Sequence, residues 1–344
     1  MVCPWKEDYQ DAKRVAVQLG IDFKLYDFET QYRHKVVEYM VAEYQAGRTP
    51  NPDIMCNQEV KFKLFLDTAL TDGADMIATG HYARVGQEPA APGKGVSRME
   101  KGEARAAAPP YSLLPTPYSA ALYAAVDQNK DQSYFLYRVT EQALRRSLMP
   151  IGEYRKPEVR QLAKKMGLVT AAKKDSQGIC FVGKVGIKEF LSQYVTTAPG
   201  AIVDQHGTEL GQHEGALFYT IGQRHGLNIG GGLPYYVIEK DMETNTVVVS
   251  TDLDDDRLWR RSFALCDVHW INGQPVNMPH RLQIRTRYRA PLVDGSVRIL
   301  DDGGTQITLQ EPVRAITPGQ SAVFYDGDQV LGGGIVRLLV DEHQ

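Results

Sequence analysis

The hydrophobic period changes near residue 195, and that change restricts the folds open to this chain. Before it, apolar residues recur at helical spacing: Ala12, Val15, Ala16 and Leu19, closed by Gly20, then Tyr32, Val36, Met40 and Tyr44, then Phe62, Phe65, Leu66 and Ala69. Short apolar runs fall between the helices, with Ile21, Phe23 and Leu25 at strand spacing and a further run over Asp75 to Thr79. Such alternation predicts a parallel sheet covered on both faces, with a ligand crevice beyond the carboxyl ends of its strands. Gly80 and His81 follow one such end. After residue 195 helical spacing is gone. Strands are expected at Phe218 to Thr220, Tyr235 to Glu239 and Val247 to Thr251, then in a run with turns at Asp302-Gly303-Gly304 and Asp326-Gly327.

Three domains result: an α/β domain over 1–194, a small β-rich domain over 195–256, and a C-terminal β-barrel over 257–344, with the acidic Asp252 to Asp256 as linker. Within the first, residues 86–120 are dominated by Ala, Pro, Gly and Ser without any period and predict a flexible surface insertion. A helix from Lys156 to Met166 is expected to start on Pro157, bury Val159, Leu162, Ala163 and Met166, and stop at Gly167. A short helix is expected over Ile187 to Tyr194. The formal net charge of -3 argues against a uniformly basic nucleic-acid coat but allows a local basic patch. The start lacks the basic-then-apolar order of a signal peptide and no run reaches membrane-span length, so a soluble, cytoplasmic protein is expected.

Cys3, Cys56, Cys180 and Cys266 are too few and too scattered for a disulfide framework. Cys56, in TPNPDIMCNQEVKF, follows two prolines at the start of an amphipathic helix. Unpaired backbone N–H groups and the helix dipole would favour its thiolate; burial at the helix start is the other reading. Cys180, in KKDSQGICFVG, sits behind Lys173, Lys174 and a turn at Gly178, a setting equally compatible with a reactive thiol or a strand residue. Cys3 and Cys266 have no such context. The histidines have no metal-ligand spacing, and no metal is expected. His81 stands apart because it ends a strand, with capping and function both open. Arg281 to Arg289 alternates so as to line one strand face with arginines, as an RNA backbone or a solvated, acid-paired face would require. Lys130-Asp131-Gln132 and Gln223-Arg224-His225 are weaker polar clusters. The glycine runs at 226–232 and 331–335 fit no phosphate-loop pattern and read as turns or bulges.

Taken in order, GRTPNPDIMCNQEVKF, IATGHYARV, NKDQSYFLY, KKDSQGICFVG, YTIGQRHGLNIGG and TPGQSAVFYDGDQVLGGGI resemble the signature blocks of the tRNA-specific 2-thiouridylase family, MnmA, across nearly the whole chain. The resemblance implies a PP-loop ATPase domain of the adenine-nucleotide α-hydrolase type, a small central domain and a C-terminal β-barrel. It implies ATP-dependent replacement of the C2 oxygen of the wobble uridine of tRNA by sulfur, with ATP, accompanied by Mg2+, as cosubstrate. Sulfur would come from a cysteine desulfurase or a sulfur-relay protein. Cys180 would carry a persulfide, and Cys56 would release the sulfur and become disulfide-linked to Cys180. Asn51, Pro52 and Asp53 match the target-base segment, Gly80 an ATP contact, and His81, Lys130, Asp131, Gln132, Arg287, Tyr288 and Gln320 tRNA contacts. A monomer is expected.

One block of the family pattern is missing. The phosphate-binding S-G-G-x-D-S does not occur, and Met1 falls where the resemblance has reached its second αβ unit. The resemblance therefore implies a first domain without its first strand and phosphate loop, and adenylation by this chain alone is not expected. A non-catalytic tRNA-binding remnant and an ATP-independent persulfide carrier are the alternatives. The first of these would need neither Cys56 nor Cys180.

Overall fold

A computed structural model of the chain describes residues 5–89, 118–173, 186–230, 232–273, 281–300 and 303–338. The α/β part opens with helix α1 (Trp5–Leu19), followed by α2 over 29–45 and α3 over 52–71. The middle of each of the last two is wound as π-helix, at Arg33–Val37 and Asn57–Phe65. Strand β1 (Ile77–Ala78) pairs in parallel with β4 (Ser147–Leu148). Strands β2 (Ala83–Pro89) and β3 (Tyr118–Ala124) form an antiparallel hairpin, and the short helix α4 (Glu141–Arg145) precedes β4. The predicted insertion thus has strands at both ends, and its residues 90–117 lie outside the described residues.

Two expectations for this part are corrected. Ile21, Phe23 and Leu25 form no strand: 21–28 has no regular structure, and Ile21 and Leu25 are 60% and 63% exposed. Strand spacing marks residues that can line a sheet, but a strand exists only where a neighbour completes its ladder. Helix α5 (Lys156–Lys165) starts on Pro157 as predicted, with the Glu158 carboxylate accepting from the Arg155 N–H at 2.6 Å. Its apolar stripe is not buried, however, and Leu162 and Met166 are exposed. Periodicity shows which side of a helix is apolar, not whether anything covers it.

Helix α6 (Ile187–Leu191) leads into a four-stranded sheet of β5 (Gly200–Val203), β6 (Glu209–His213), β7 (Tyr236–Asp241) and β8 (Thr246–Ser250), in the order β6-β5-β8-β7. The strand expected at Phe218 to Thr220 is absent; Ala216–Phe218 is a 3-10 turn. Side chains satisfy the backbone there: Lys240 Nζ donates to the Tyr219 carbonyl at 2.8 Å, and the Thr220 N–H donates to Gln223 Oε1 at 3.0 Å. No ladder is then needed.

The barrel comprises β9 (Trp259–Trp270), β10 (Leu282–Arg285), β11 (Val293–Ile299), β12 (Thr305–Arg314), β13 (Ser321–Asp326) and β14 (Gln329–Arg337). It runs β13-β10-β11-β12-β9-β14, and pairing of β13 with β14 closes it. Phe263, Leu265, Ile284, Ile307, Phe324 and Val336 belong to its buried core. The same sheet continues outward, because β14 also pairs with β3, matching Gln329 with Tyr123 and Val330 with Leu122. One apolar cluster crosses the seam, containing Leu122, Tyr134, Leu136 and Tyr137 from the α/β part and Val323, Tyr325 and Val330 from the barrel.

Candidate active site

Asn51 caps α3. Its side chain accepts the Asp53 N–H at 3.2 Å, and Pro52 takes the first helical position, where no backbone donor is needed. Cys56 follows just before the π-helical stretch, a winding often found at functional positions. Its side chain is fully buried, at 0% exposure, in the apolar cluster that also holds Tyr44, Val60, Phe190 and Leu191. Cys56 is therefore both a helix-start thiol and a buried one, and a reagent reaches it only when that cluster opens. Asp53 Oδ1 and Asn57 Oδ1 are buried with no hydrogen-bond partner among the described residues. Two buried acceptors flanking a thiol each lack a donor, a costly state unless another molecule supplies one.

Gly80 and His81 lie just beyond the carboxyl end of β1. Gly80 is exposed, and an added Cβ would meet nothing within 4 Å. His81 is buried, with Nδ1 3.0 Å from Thr79 Oγ1 and its ring 5.5 Å from that of Phe62 on α3. Burial, helped by the nearby Lys61 charge, pushes its pKa down to about 3, so the imidazole is neutral near pH 7.

The turn after β3 carries Lys130, Asp131 and Gln132. The Lys130 N–H closes the turn onto the Asp127 carbonyl at 3.0 Å. Gln132 grips the residue after His81 twice: its Oε1 accepts the Tyr82 N–H at 2.9 Å, and its N–H donates to the Tyr82 carbonyl at 2.8 Å. Asp131 is buried and accepts from the Ala125 N–H, the Ser133 N–H, the Ser133 hydroxyl and Arg285 Nη1.

The expected arginine face is not formed. Strand β10 ends at Arg285, whose ladder partner is Val323, and the chain then turns. Arg285 turns inward to Asp131 and lies over the Tyr325 ring at 5.1 Å. Arg289 takes a φ of 64° and covers the Tyr288 ring at 5.2 Å. The sequence keeps alternating past the point where the ladder stops, so period two overstates the strand. Tyr288 packs on the Phe135 ring at 4.4 Å, and the Phe135 carbonyl accepts Asn57 Nδ2 at 3.0 Å. Gln320 is buried and donates Nε2 to the Thr49 carbonyl at 2.7 Å.

These contacts gather Asn51 to Cys56, His81, Lys130 to Gln132, Tyr288 and Gln320 along one seam between α3, the 130–135 turn and the barrel. Cys180 and Cys3 lie outside the described residues. Thr49, Asn57 and Phe135 escaped sequence reasoning; their one signal was membership of the motif blocks around Cys56, for Thr49 and Asn57, and around Lys130 to Gln132, for Phe135. Among the described residues no group of three or more His, Cys, Asp or Glu is placed to hold a metal, and no helix is long and apolar enough to cross a membrane.

For a nucleotide, the described residues make only part of a site. Gly80 leaves open space at the end of β1, whereas Gly152, after β4, is packed so closely that an added Cβ would lie 1.9 Å from the Ala83 carbonyl oxygen. No glycine-rich run follows either strand of the parallel pair to present the several N–H groups that a triphosphate needs.

An α/β unit with a thiol at a helix start, joined through a small β domain and a shared seam to a closed barrel, matches a three-part family whose first part is a HUP domain. Residues 1–184 match the family described as tRNA methyl transferase HUP domain, 188–251 the tRNA methyl transferase PRC-barrel domain, and 260–336 the aminomethyltransferase beta-barrel domain. The chain is 44% identical over 336 residues to tRNA-specific 2-thiouridylase MnmA 2 of Geobacillus kaustophilus, covering 97% of this chain and 83% of that one. It is 45% identical over 340 residues to MnmA of Chromohalobacter salexigens, covering 97% and 81%. Against MnmA of Escherichia coli O139:H28 it is 43% identical over 341 residues, covering 97% and 85%. The chain belongs to the MnmA family of tRNA-specific 2-thiouridylases, a family of sulfur-transferring enzymes.

Proposed function

We propose that this protein transfers sulfur to C2 of the wobble uridine of tRNA, using Cys180 as persulfide carrier and Cys56 as the thiol that releases the sulfur. The observation that carries this reading is the buried Asp53 Oδ1, which has no partner among the described residues and lies in the first turn of α3, the helix that carries Cys56 near its start. Uridine offers N3–H beside C2, a donor that cytidine lacks, so an acceptor here selects uridine and brings its C2 toward the thiol-bearing segment. Neutral His81 can donate or accept without adding charge, and Lys130, Arg287 and Tyr288 suit a tRNA backbone or an unstacked base.

ATP, when bound with Mg2+ and with Gly80 against one edge, supplies the activation that turns the C2 oxygen into a leaving group. The terminal sulfur of the Cys180 persulfide forms the new bond to C2, and the oxygen departs with the activating group. The Cys56 thiolate then attacks Cys180 Sγ and breaks the S–S bond. Sulfur stays on uridine, and a Cys56–Cys180 disulfide forms that an external thiol must reduce by two electrons. Supporting this pairing, Leu191 of α6 shares the apolar cluster of Cys56, and Ile187, where α6 begins, lies seven residues beyond Cys180.

Incubating the protein with wobble-uridine tRNA, ATP, Mg2+ and a persulfide donor, then digesting the tRNA for mass spectrometry, tests the reading. Two-thiouridine that forms with the parent protein and vanishes in Cys56→Ser and Cys180→Ser supports the reading and overturns the expectation, drawn from the missing S-G-G-x-D-S, that this chain alone does not adenylate tRNA; its absence with the parent protein refutes the proposal. The partial nucleotide site favours one second reading, a persulfide carrier that works without ATP. A +32 Da mass on Cys180 after exposure to a cysteine desulfurase and cysteine, with no thiolation of tRNA, would establish it.

A further inference from the structure

Thr49 has every polar group engaged by another domain. Its N–H donates to the Pro318 carbonyl at 2.9 Å, its carbonyl accepts Gln320 Nε2 at 2.7 Å, and its hydroxyl lies 3.3 Å from that of Thr220 in the central domain. Gly319 takes a φ of +90° against it, and a Cβ at 319 would stand 2.8 Å from the Thr49 nitrogen. Thr49 and Gln320 are both buried. The barrel turn 317–320 is thus flush with the backbone two residues before Asn51, the cap of the Cys56 helix.

We propose that Gln320 is a positioning residue for Cys56: the barrel, through Gln320 and Thr49, sets the start of α3 and so keeps the Cys56 thiol buried until the substrate RNA is seated. The inference rests on the proposed sulfur transfer for its catalytic consequence, but not for its mechanical one. One N–H of Gln320 Nε2 is held by the Thr49 carbonyl, so its loss should act on the thiol even with no RNA present. Gln320→Met keeps the side-chain length and removes the donor; the Thr49 carbonyl then loses its buried partner.

Alkylation of Cys56 by iodoacetamide, read by peptide mass spectrometry, is the first measurement. Loss of one buried hydrogen bond should raise the labelling rate of Cys56 roughly tenfold in Gln320→Met. The thermal unfolding midpoint controls for general loosening, and Gln320→Glu, an acceptor facing the carbonyl, should label at least as fast. The single-turnover thiolation rate is the second measurement: at saturating tRNA, where a loss of affinity no longer matters, it should fall by roughly tenfold. An unchanged Cys56 labelling rate overturns the proposal. So does a Kd that rises with no loss of rate at saturation, which would make Gln320 an RNA contact. If the parent protein neither binds nor thiolates tRNA, the sulfur-transfer reading fails while the labelling result still decides the strut.

Discussion

Asp131 and Arg285 are 154 residues apart in the chain and meet at 3.0 Å, joining the turn after β3 to the last residue of β10. Asp131 is the more buried partner and also receives three donors from its own turn. Removing its carboxylate strands all four. Asp131→Ala should cost about 3–5 kcal/mol, read as a lower urea midpoint. Asp131→Ala combined with Arg285→Met should cost less than the two single losses together, because no charge is then left alone.

His81 gives a pH signature. Its folded pKa, about 3, is below the ordinary 6.5 because burial penalises the cation, with Lys61 adding to the effect. The unfolded chain therefore binds the extra proton first. The stability that the neutral ring allows is complete above about pH 6.5 and is lost as pH falls toward 3. Burial lowers His213 and His269 as well, so the difference between parent and variant is the useful quantity. Urea midpoints of His81→Gln from pH 7 to pH 4 should fall less steeply than those of the parent.

Ile21, Leu25, Met76 and Leu148 are exposed, Met76 just before β1 and Leu148 within β4 of the two-stranded pair. An apolar surface beside unpaired strand edges promotes association. Light scattering should increase with protein concentration, and Ile21→Lys with Leu25→Lys should reduce both scattering and binding of an apolar dye while leaving the barrel's near-ultraviolet circular dichroism unchanged.

Gly152 holds the turn after β4 against the backbone of β2. Because a Cβ there would overlap the Ala83 carbonyl, Gly152→Ala should destabilise by about 3 kcal/mol or more. Alanine at the exposed Gly80, with open space around it, should leave the thermal midpoint unchanged, and the pair of melts checks the packing directly.

Local signals foretold much of this architecture. Pro157 marked a helix start, the three helical stripes before Thr71 fell on observed helices, though α3 begins already at Pro52 within the expected turn, and the β region after 195 became a sheet and a closed barrel. Features that depend on a partner were not legible. Ile21 to Leu25 had strand spacing but no ladder, the α5 stripe had no cover, and Arg285 to Arg289 kept alternating after β10 ended. For the site, the thiol at the head of α3 was readable as a residue type in its local setting. The grip of Gln132 on Tyr82 and of Gln320 on Thr49 was not, since each joins segments at least fifty residues apart through one glutamine.

The pairing of β14 with β3 makes one hydrogen-bonded ladder run from the barrel wall into the α/β part. Two bodies that share a ladder and an apolar cluster cannot melt in separate steps: unzipping either exposes Tyr134, Tyr137 and Tyr325 of the other. The barrel is thus no detachable module. Calorimetry should show the two halves as a single cooperative unit, and the barrel cut away from β3 would lose an outer neighbour that its own six strands cannot replace.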